Sequence, residues 1–559
     1  MIFFLIILGL LEIFSLGALI PILQLVLDEK AFLDSQYFET INNYTSFFLL
    51  YDSEKFLYFF LIAFFLVIFL KNLGMVLLTH LNNINIIGIE TKLSINLFKK
   101  YISSSIIFLS QKRSSEIIRN VINQSSIYAN NFIFSLILIV TEIFTFSIII
   151  IFLLFIYPKE TLYSLLIFIS LSTVYVLFFK NTVIKLSESS ENSFERRVRF
   201  LNYGIESVKE IKLYDLKDQF VNDYFKNSYK LMRNLKIVSI IRILPRHLFE
   251  VIAVFLLIIF IVISIQNELL GDILISKIAV FAYAGFRILP SLNRTLTSIN
   301  RLKLSIPIVQ NITNEFKKLG QFEVDINTNS SVDKIVLDDF NKFELKELDF
   351  KYPDTDNNVF KKLNLSIEKN SSNFIFGESG SGKTTLVEII IGLINTNQKI
   401  LINNYDLNDV KNQWQSIISY VPQDIFLMDD TLKNNIIGNL NLEHRKKDYE
   451  NALNFSGLKN LEETLKNDTL GERGKKLSSG QIKRIGIARA IYKKNAKILI
   501  FDEVTANLDN HSENEIMEKI IKLSQKFTII FISHNMNLSK YFNNVLKLEN
   551  KTITKINVK

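Results

Sequence analysis

The run Phe376-Gly377-Glu378-Ser379-Gly380-Ser381-Gly382-Lys383-Thr384 decides the fold of one half of this 559-residue chain. It follows the apolar Phe374 to Phe376 and precedes the helical pattern of Leu386 to Ile394, so it reads as strand, glycine-rich loop and helix. Glycines let backbone N–H groups approach a phosphate closely, and the following helix turns its positive end to the same anion. Gly377, Glu378, Ser379, Gly380, Ser381, Gly382, Lys383, Thr384 and Thr385 are therefore expected to hold ATP. Lys383 would reach the β- and γ-phosphates and Thr384 would ligate Mg²⁺. Further on, Ile498-Leu499-Ile500-Phe501-Asp502-Glu503 is an apolar run of the kind buried in parallel sheets, ending in two carboxylates. Asp502 suits a hydrogen-bonded role at Mg²⁺, and Glu503 sits where a general base could polarise an attacking water.

Upstream of this soluble half the composition changes. Of all residues 49% are hydrophobic, and the long apolar runs concentrate in the first 300 positions, which excludes a purely soluble enzyme. The 47 Phe exclude a disordered chain, and the absence of Cys excludes disulfides, thiolate metal sites and a cysteine nucleophile. A spanning helix needs about 20 mostly apolar residues. Six segments qualify: Ile2 to Leu27, Phe56 to Leu78, Phe132 to Tyr157, Leu162 to Phe179, Leu248 to Ile265 and Ile273 to Leu289. The first lacks the basic n-region and the small-residue cleavage site of a signal peptide, and reads as a true span. The connections Asn82 to Asn131 and Asn181 to His247 carry clusters of Lys and Arg, including Lys99, Lys100, Arg113, Arg119, Arg196, Arg197 and Arg199, whereas Asp28 to Lys55 is mainly acidic. The positive-inside bias places the basic connections, and with them both termini, in the cytoplasm. The net charge of +9 is carried by such juxtamembrane clusters, so no nucleic-acid partner is expected.

Charge at membrane depth usually faces a cavity or a partner. Arg287, Arg294 and Arg301 recur every seven residues and share one side of the sixth helix, which runs on past its span, forming a basic stripe that Lys71 and Arg246 could join. The stripe is expected to meet an anionic ligand. The deeper Glu12 and Glu142 suit a structural ion pair or a water-lined position and equally a contact with substrate. The fold class that emerges is multidomain: an all-α polytopic membrane domain of six helices over 1–325, a polar linker over 326–340, and an α/β phosphate-loop NTPase domain over 341–559.

Between the loop and the acidic strand lies Leu477-Ser478-Ser479-Gly480-Gln481, and here the sequence resembles the ATP-binding cassette (ABC) transporter family over nearly its whole length. The resemblance implies that the signature Ser478, Ser479, Gly480 and Gln481 closes over ATP held by a second cassette. Ser479 stands where glycine is usual. It further implies that Tyr352 stacks on adenine and that Gln423, in Val421-Pro422-Gln423, links Mg²⁺ to the membrane domain. Asp509 would belong to the intersubunit loop, and His534 would be the γ-phosphate switch. Gly471-Glu472-Arg473-Gly474 is similar to a loop by which exporters of this family contact the membrane domain, and six spans before one cassette match an exporter half-transporter that pairs as a homodimer. The segments Ser115 to Gln124 and Leu201 to Tyr214 would then transmit motion.

Within exporters, Phe286-Arg287-Ile288-Leu289-Pro290-Ser291-Leu292-Asn293-Arg294 resembles the sixth-helix motif of PglK-type flippases of lipid-linked oligosaccharides, where basic residues engage a pyrophosphate. These resemblances imply an ATP-driven translocase of the bacterial inner membrane with cytoplasmic cassettes and a lipid or amphipathic anionic cargo; a multidrug, peptide or lipid A-type exporter is the alternative. An ATP-gated channel would show degenerate catalytic residues or a regulatory insertion, and neither is present.

Overall fold

The computed structural model describes residues 2–27, 53–266, 272–321, 340–353, 355–396, 398–438, 445–505 and 510–556. They fall into two units, Met1–Ser104 with Leu109–Val324, and Ser105–Phe108 with Asp325–Lys559.

The first unit is helical: α1 (Ile2–Gly17), α2 (Leu19–Leu27), α3 (Ser53–Ser103), α4 (Ile106–Ser110, most of which groups with the second unit), α5 (Ser114–Ile156), α6 (Pro158–Glu206), α7 (Val208–Leu213), α8 (Lys217–Gln266) and α9 (Asp272–Gln321). Runs this apolar become helices because a backbone in lipid must satisfy its own hydrogen bonds. Phe4–Leu23, Leu57–Ser103, Ser114–Ile156 and Thr161–Glu206 are long and apolar enough to cross a membrane. The fifth and sixth expected spans fall within α8 and α9, but many of their side chains lie outside the described residues, as does most of the acidic connection Asp28 to Lys55 and all of the linker except Phe340. At a rise of about 1.5 Å per residue, the 50 residues of α8 or α9 greatly exceed the thickness of a bilayer, so these helices continue past it, as the patterning of the basic connections anticipates. Two π-helical stretches, Arg119–Gln124 and Tyr128–Ile133, interrupt α5; nothing in the hydrophobic period announces them.

Apolar clusters fix the helices to one another. Leu16, Ile149, Leu153, Val280 and Ala284 join α1, α5 and α9, while Tyr175, Val183, Ile241, Phe249 and Leu296 join α6, α8 and α9. Phe155 and Phe178 point outward, in keeping with a lipid-facing surface.

The second unit is an α/β domain with two sheets. One is antiparallel, in the order β2-β1-β4-β5, from β1 (Lys342–Phe350), β2 (Phe360–Glu368), β4 (Ile400–Ile402) and β5 (Tyr405–Asp406). The other has the order β10-β9-β3-β8-β7-β6, from β3 (Ser372–Phe376), β6 (Ile418–Val421), β7 (Ile498–Asp502), β8 (Thr528–Ser533), β9 (Asn544–Glu549) and β10 (Thr552–Ile556). In this larger sheet β3, β6, β7, β8 and β9 run parallel. Strands buried on both faces must be apolar throughout, and every residue of β7 and β8 is buried. Beside the sheets, Trp414 stacks on Phe343 and donates its indole N–H to the Ile390 carbonyl at 2.7 Å. That bond anchors the end of α10 (Lys383–Ile390), the helix that follows the glycine loop.

Candidate functional site

Parallel strands end at one edge of a sheet, and that edge is where ligands of open α/β folds collect. The residues following β3, β6, β7 and β8 are the glycine loop, Pro422-Gln423, Glu503 and His534. One topological fact thus brings together four stretches that are far apart in the chain.

The loop leaves β3 at Gly377, where a Cβ would lie 2.9 Å from the Leu548 carbonyl oxygen. It enters α10 at Gly382, whose φ of 101° is left-handed and whose Cβ would meet Val359 and Phe360 at 2.9 Å. Both positions are closed to larger residues. The buried Lys383 folds back over the loop, its Nζ donating to the carbonyls of Gly377 and Glu378 at 2.9 Å each. Ser381 Oγ is buried without a hydrogen-bond partner among the described residues, and Thr384 is exposed at the start of α10.

Glu503 is the hub of the site. Its Oε2 accepts from Gln423 Nε2 at 3.0 Å, its Oε1 lies 3.4 Å from His534 Nδ1, and Lys383 Nζ is 4.0 Å away. A φ of 48°, rare for a residue with a side chain, turns the chain just after the strand, and the Glu503 N–H donates to the Ile532 carbonyl at 3.0 Å. Asp502, one residue before, is buried at the end of β7. Burial, reinforced by the adjacent Glu503 charge, pushes its carboxyl up to about 6. Glu388 is raised as well, by burial and then by Asp502. Such crowding of carboxylates favours a cation. Thr384, Gln423 and Asp502 offer the hard oxygen donors that Mg²⁺ takes together with substrate phosphates.

Sequence reasoning missed three members of this site. Tyr420 donates its hydroxyl to Asp502 Oδ2 at 3.4 Å, Glu388 faces the same carboxylate, and Lys483 Nζ bonds the Gln423 carbonyl oxygen. Tyr352, expected against adenine, meets Phe350 edge-on at 5.2 Å and shares a 2.9 Å hydrogen bond with the Thr385 hydroxyl, so it borders the loop. Asp509 lies outside the described residues.

The signature opens α15 (Ser479–Tyr492), preceded in the chain by α11 (Leu407–Ile417), α12 (Leu432–Ile437), α13 (Lys446–Ser456) and α14 (Lys459–Leu465). Ser478 and Gln481 form a reciprocal capping box: Ser478 Oγ accepts from the Gln481 N–H at 3.2 Å, and Gln481 Oε1 accepts from the Ser478 N–H at 2.9 Å. Gln481 thus shapes the helix start. Ser478 and Ser479 remain exposed, and among the described residues no hydrogen bond ties the signature to this chain's own glycine loop.

In the first unit the basic stripe differs from the open row of guanidinium groups that spacing alone suggests. Arg287 Nε stands 3.6 Å from Glu12 Oε1, Lys71 Nζ pairs with Glu12 Oε2, and Arg287 also lies over Tyr283 and donates to its hydroxyl at 3.1 Å. Arg294 Nε pairs with Glu142 Oε1, and Arg294 Nη2 reaches Glu142 Oε2 at 3.2 Å. Arg301 lines a cavity of about 460 Å³ with Asn130, Asn300 and Glu191. The side chain of Arg246 lies outside the described residues.

A phosphate-loop nucleotide site at the edge of a parallel sheet, joined in one chain to long apolar helices, defines a membrane protein with an ATP-binding domain. The model of the ABC transporter transmembrane region matches residues 1–285, just over half of the chain, and that of the ABC transporter domain matches 360–506. The chain belongs to the ABC transporter family. It is 28% identical over 376 residues to the ATP-dependent lipid A-core flippase 2 of Colwellia psychrerythraea, covering 66% of this chain and 62% of that protein. The ATP-dependent lipid A-core flippase of Bordetella avium is 33% identical over 214 residues, 37% of this chain and 36% of that protein. The chain thus matches less than two thirds of the length of these relatives. A bacterial Atm1-family ABC exporter, solved with ATP bound, shares the fold with a TM-score of 0.80 at 17% identity, over 98% of this chain and 93% of that one.

Proposed function

We propose that this chain is an ATP-driven exporter of the bacterial inner membrane that moves an amphipathic lipid with an anionic headgroup and works as a homodimer, with its cassettes in the cytoplasm. The observation that carries the ATPase part is the convergence of Gln423, His534 and Lys383 on Glu503 beside the buried Asp502. In this reading the loop backbone and Lys383 bind the phosphates, and Thr384, Gln423 and Asp502 would hold Mg²⁺, which would supply charge neutralisation to the phosphates. Glu503 takes a proton from the attacking water, while Gln423 and His534 position its carboxylate. The exposed signature supports pairing, since Ser478 and Gly480 at a helix N-terminus are free to meet the γ-phosphate of a second copy.

For the cargo, the favoured class is a polyprenyl-diphosphate oligosaccharide. The sixth-helix residues support it, because a diphosphate suits an arginine fork that stays half-exposed, as Arg294 does. The second reading, a lipid A-type cargo, is favoured by the names of the relatives above. Both headgroups carry phosphate, and a multidrug or peptide cargo would not require it. The test is ATPase activity of the full chain in liposomes with either lipid added. Stimulation by a polyprenyl-diphosphate oligosaccharide that Arg294→Ala removes is expected. Stimulation by apolar drugs alone, unaffected by that change, would refute the anionic-lipid cargo.

A further inference from the structure

The two carboxylates beneath the basic stripe sit in unlike surroundings. Glu12 and its partner Lys71 are both buried, and Arg287 beside them is also engaged by Tyr283. Glu142 is equally buried at 4% exposure, but the side chain of its partner Arg294 is 50% exposed. Glu142 meets the Arg294 fork through both oxygens and accepts a further hydrogen bond from Ser291 Oγ at 2.6 Å. Two parallel N–H···O contacts are also the geometry in which a guanidinium receives a phosphate. The carboxylate therefore occupies the Nε–Nη2 edge of Arg294, one of the two edges at which a guanidinium receives a phosphate.

Separating two enclosed charges strands at least one of them in a poor solvent, so the Glu12 group resists opening. The Glu142 pair can open at lower cost, because Arg294 keeps access to a new partner and Glu142 keeps the Ser291 hydroxyl. We propose that Glu142 is a resident counter-anion that the cargo's anionic headgroup displaces from the Nε–Nη2 edge of Arg294, while Glu12, Lys71 and Arg287 stay together and brace α1, α3 and α9. The inference rests on the anionic-lipid reading above. It adds selectivity: a group carrying one negative charge merely replaces the contact it breaks, whereas a diphosphate brings more charge than the carboxylate it expels. The set holds three basic side chains against two acidic ones, which leaves one positive charge in surplus for that ligand.

The test measures binding of a fluorescent polyprenyl diphosphate, and of the uncharged polyprenol, to the full chain in detergent without nucleotide. Glu142→Gln keeps the shape and the Ser291 hydrogen bond but removes the competing charge. It is expected to bind the diphosphate at least about fivefold tighter with polyprenol unchanged, and Arg294→Gln should erase the gain. Equal or weaker diphosphate binding by Glu142→Gln, with its unfolding midpoint retained, overturns the inference and leaves the cargo reading standing. If the native chain and the variant both bind diphosphate no better than polyprenol, the anionic-cargo reading fails and takes the inference with it. Should Glu142→Gln not fold, Ser291→Ala loosens Glu142 instead, with a gain of about twofold expected; no gain overturns the proposal.

Discussion

The cassette site and the membrane charge cluster are both built around buried carboxylates, and they resolve the same electrostatic problem in opposite ways. At the end of β7, Asp502, Glu503 and Glu388 crowd together with Lys383 and Lys483 nearby, and burial with mutual repulsion drives Asp502 upward. That site carries more negative than positive charge and favours a cation with its nucleotide. In the membrane unit, Glu12 and Glu142 are answered within the chain by Lys71, Arg287 and Arg294. The cassette site has an excess of negative charge, whereas the membrane unit, where bare charge in hydrocarbon is costly, pairs each buried carboxylate with a basic side chain and keeps one positive charge over.

The sharpest way to break this comparison is Glu503→Gln. Removal of the general base is expected to lower steady-state ATP hydrolysis by about 10²- to 10⁴-fold with ATP binding retained; substantial turnover in that variant takes Glu503 out of the base role. Next in size is Glu12→Gln, which strands the buried Lys71. A loss of about 3 to 5 kcal/mol is expected, against about 1 kcal/mol or less for the half-exposed pair in Glu142→Gln, and equal losses in detergent unfolding experiments would erase the distinction drawn between the two carboxylates.

A smaller effect belongs to Tyr420→Phe. Because Asp502 is raised to about 6, Mg²⁺-dependent nucleotide binding should weaken as the pH falls through that region. The Tyr420 hydroxyl favours the charged form of Asp502, so its removal should raise that value further and move the acid limb up by about half a unit; a limb that stays in place shows that the 3.4 Å contact has no influence.

The smallest effect lies in the helical extensions, where Glu195 joins Arg119 at 2.8 Å and Arg199 at 2.7 Å. Burial opposes the charge, but the hydrogen bonds and charges of Arg199 and Arg119 prevail and hold Glu195 below the ordinary carboxylate range. A lowered value stabilises the fold above the unfolded carboxylate's pKa, and that contribution is lost as pH falls through the folded one. Glu195→Gln should therefore cost about 0.5 to 1 kcal/mol near neutral pH, less in high salt, and progressively less as the pH falls through the lowered value of the folded carboxylate; an unfolding midpoint insensitive to both would exclude the ion pair as a contributor.

Legibility in the sequence followed the same division. Gly377 to Thr384 is contiguous, and Gln423, Glu503 and His534 each follow an apolar strand, so a reader who places the strands in parallel also places the residues. Tyr420 was out of reach because its role depends on register: it pairs with Ile500, two residues before Asp502. The reciprocal cap between Gln481 and Ser478 was legible too, as Ser and Gln three residues apart at a helix start. In the membrane half, composition announces long helices, but nothing local tells Glu12 on α1 that Lys71 on α3 and Arg287 on α9 will meet it. Spacing shows which residues share one side of a helix, and the neighbour that side faces is a property of the packed unit.

The central claim, that this chain uses ATP to move a phosphate-bearing lipid, is tested most directly in proteoliposomes by following a headgroup-labelled polyprenyl-diphosphate oligosaccharide across the bilayer. Translocation that requires ATP and is lost in Glu503→Gln and in Arg294→Ala is expected. Translocation that persists in Glu503→Gln, or ATP hydrolysis by the native chain with no movement of the lipid, would contradict it.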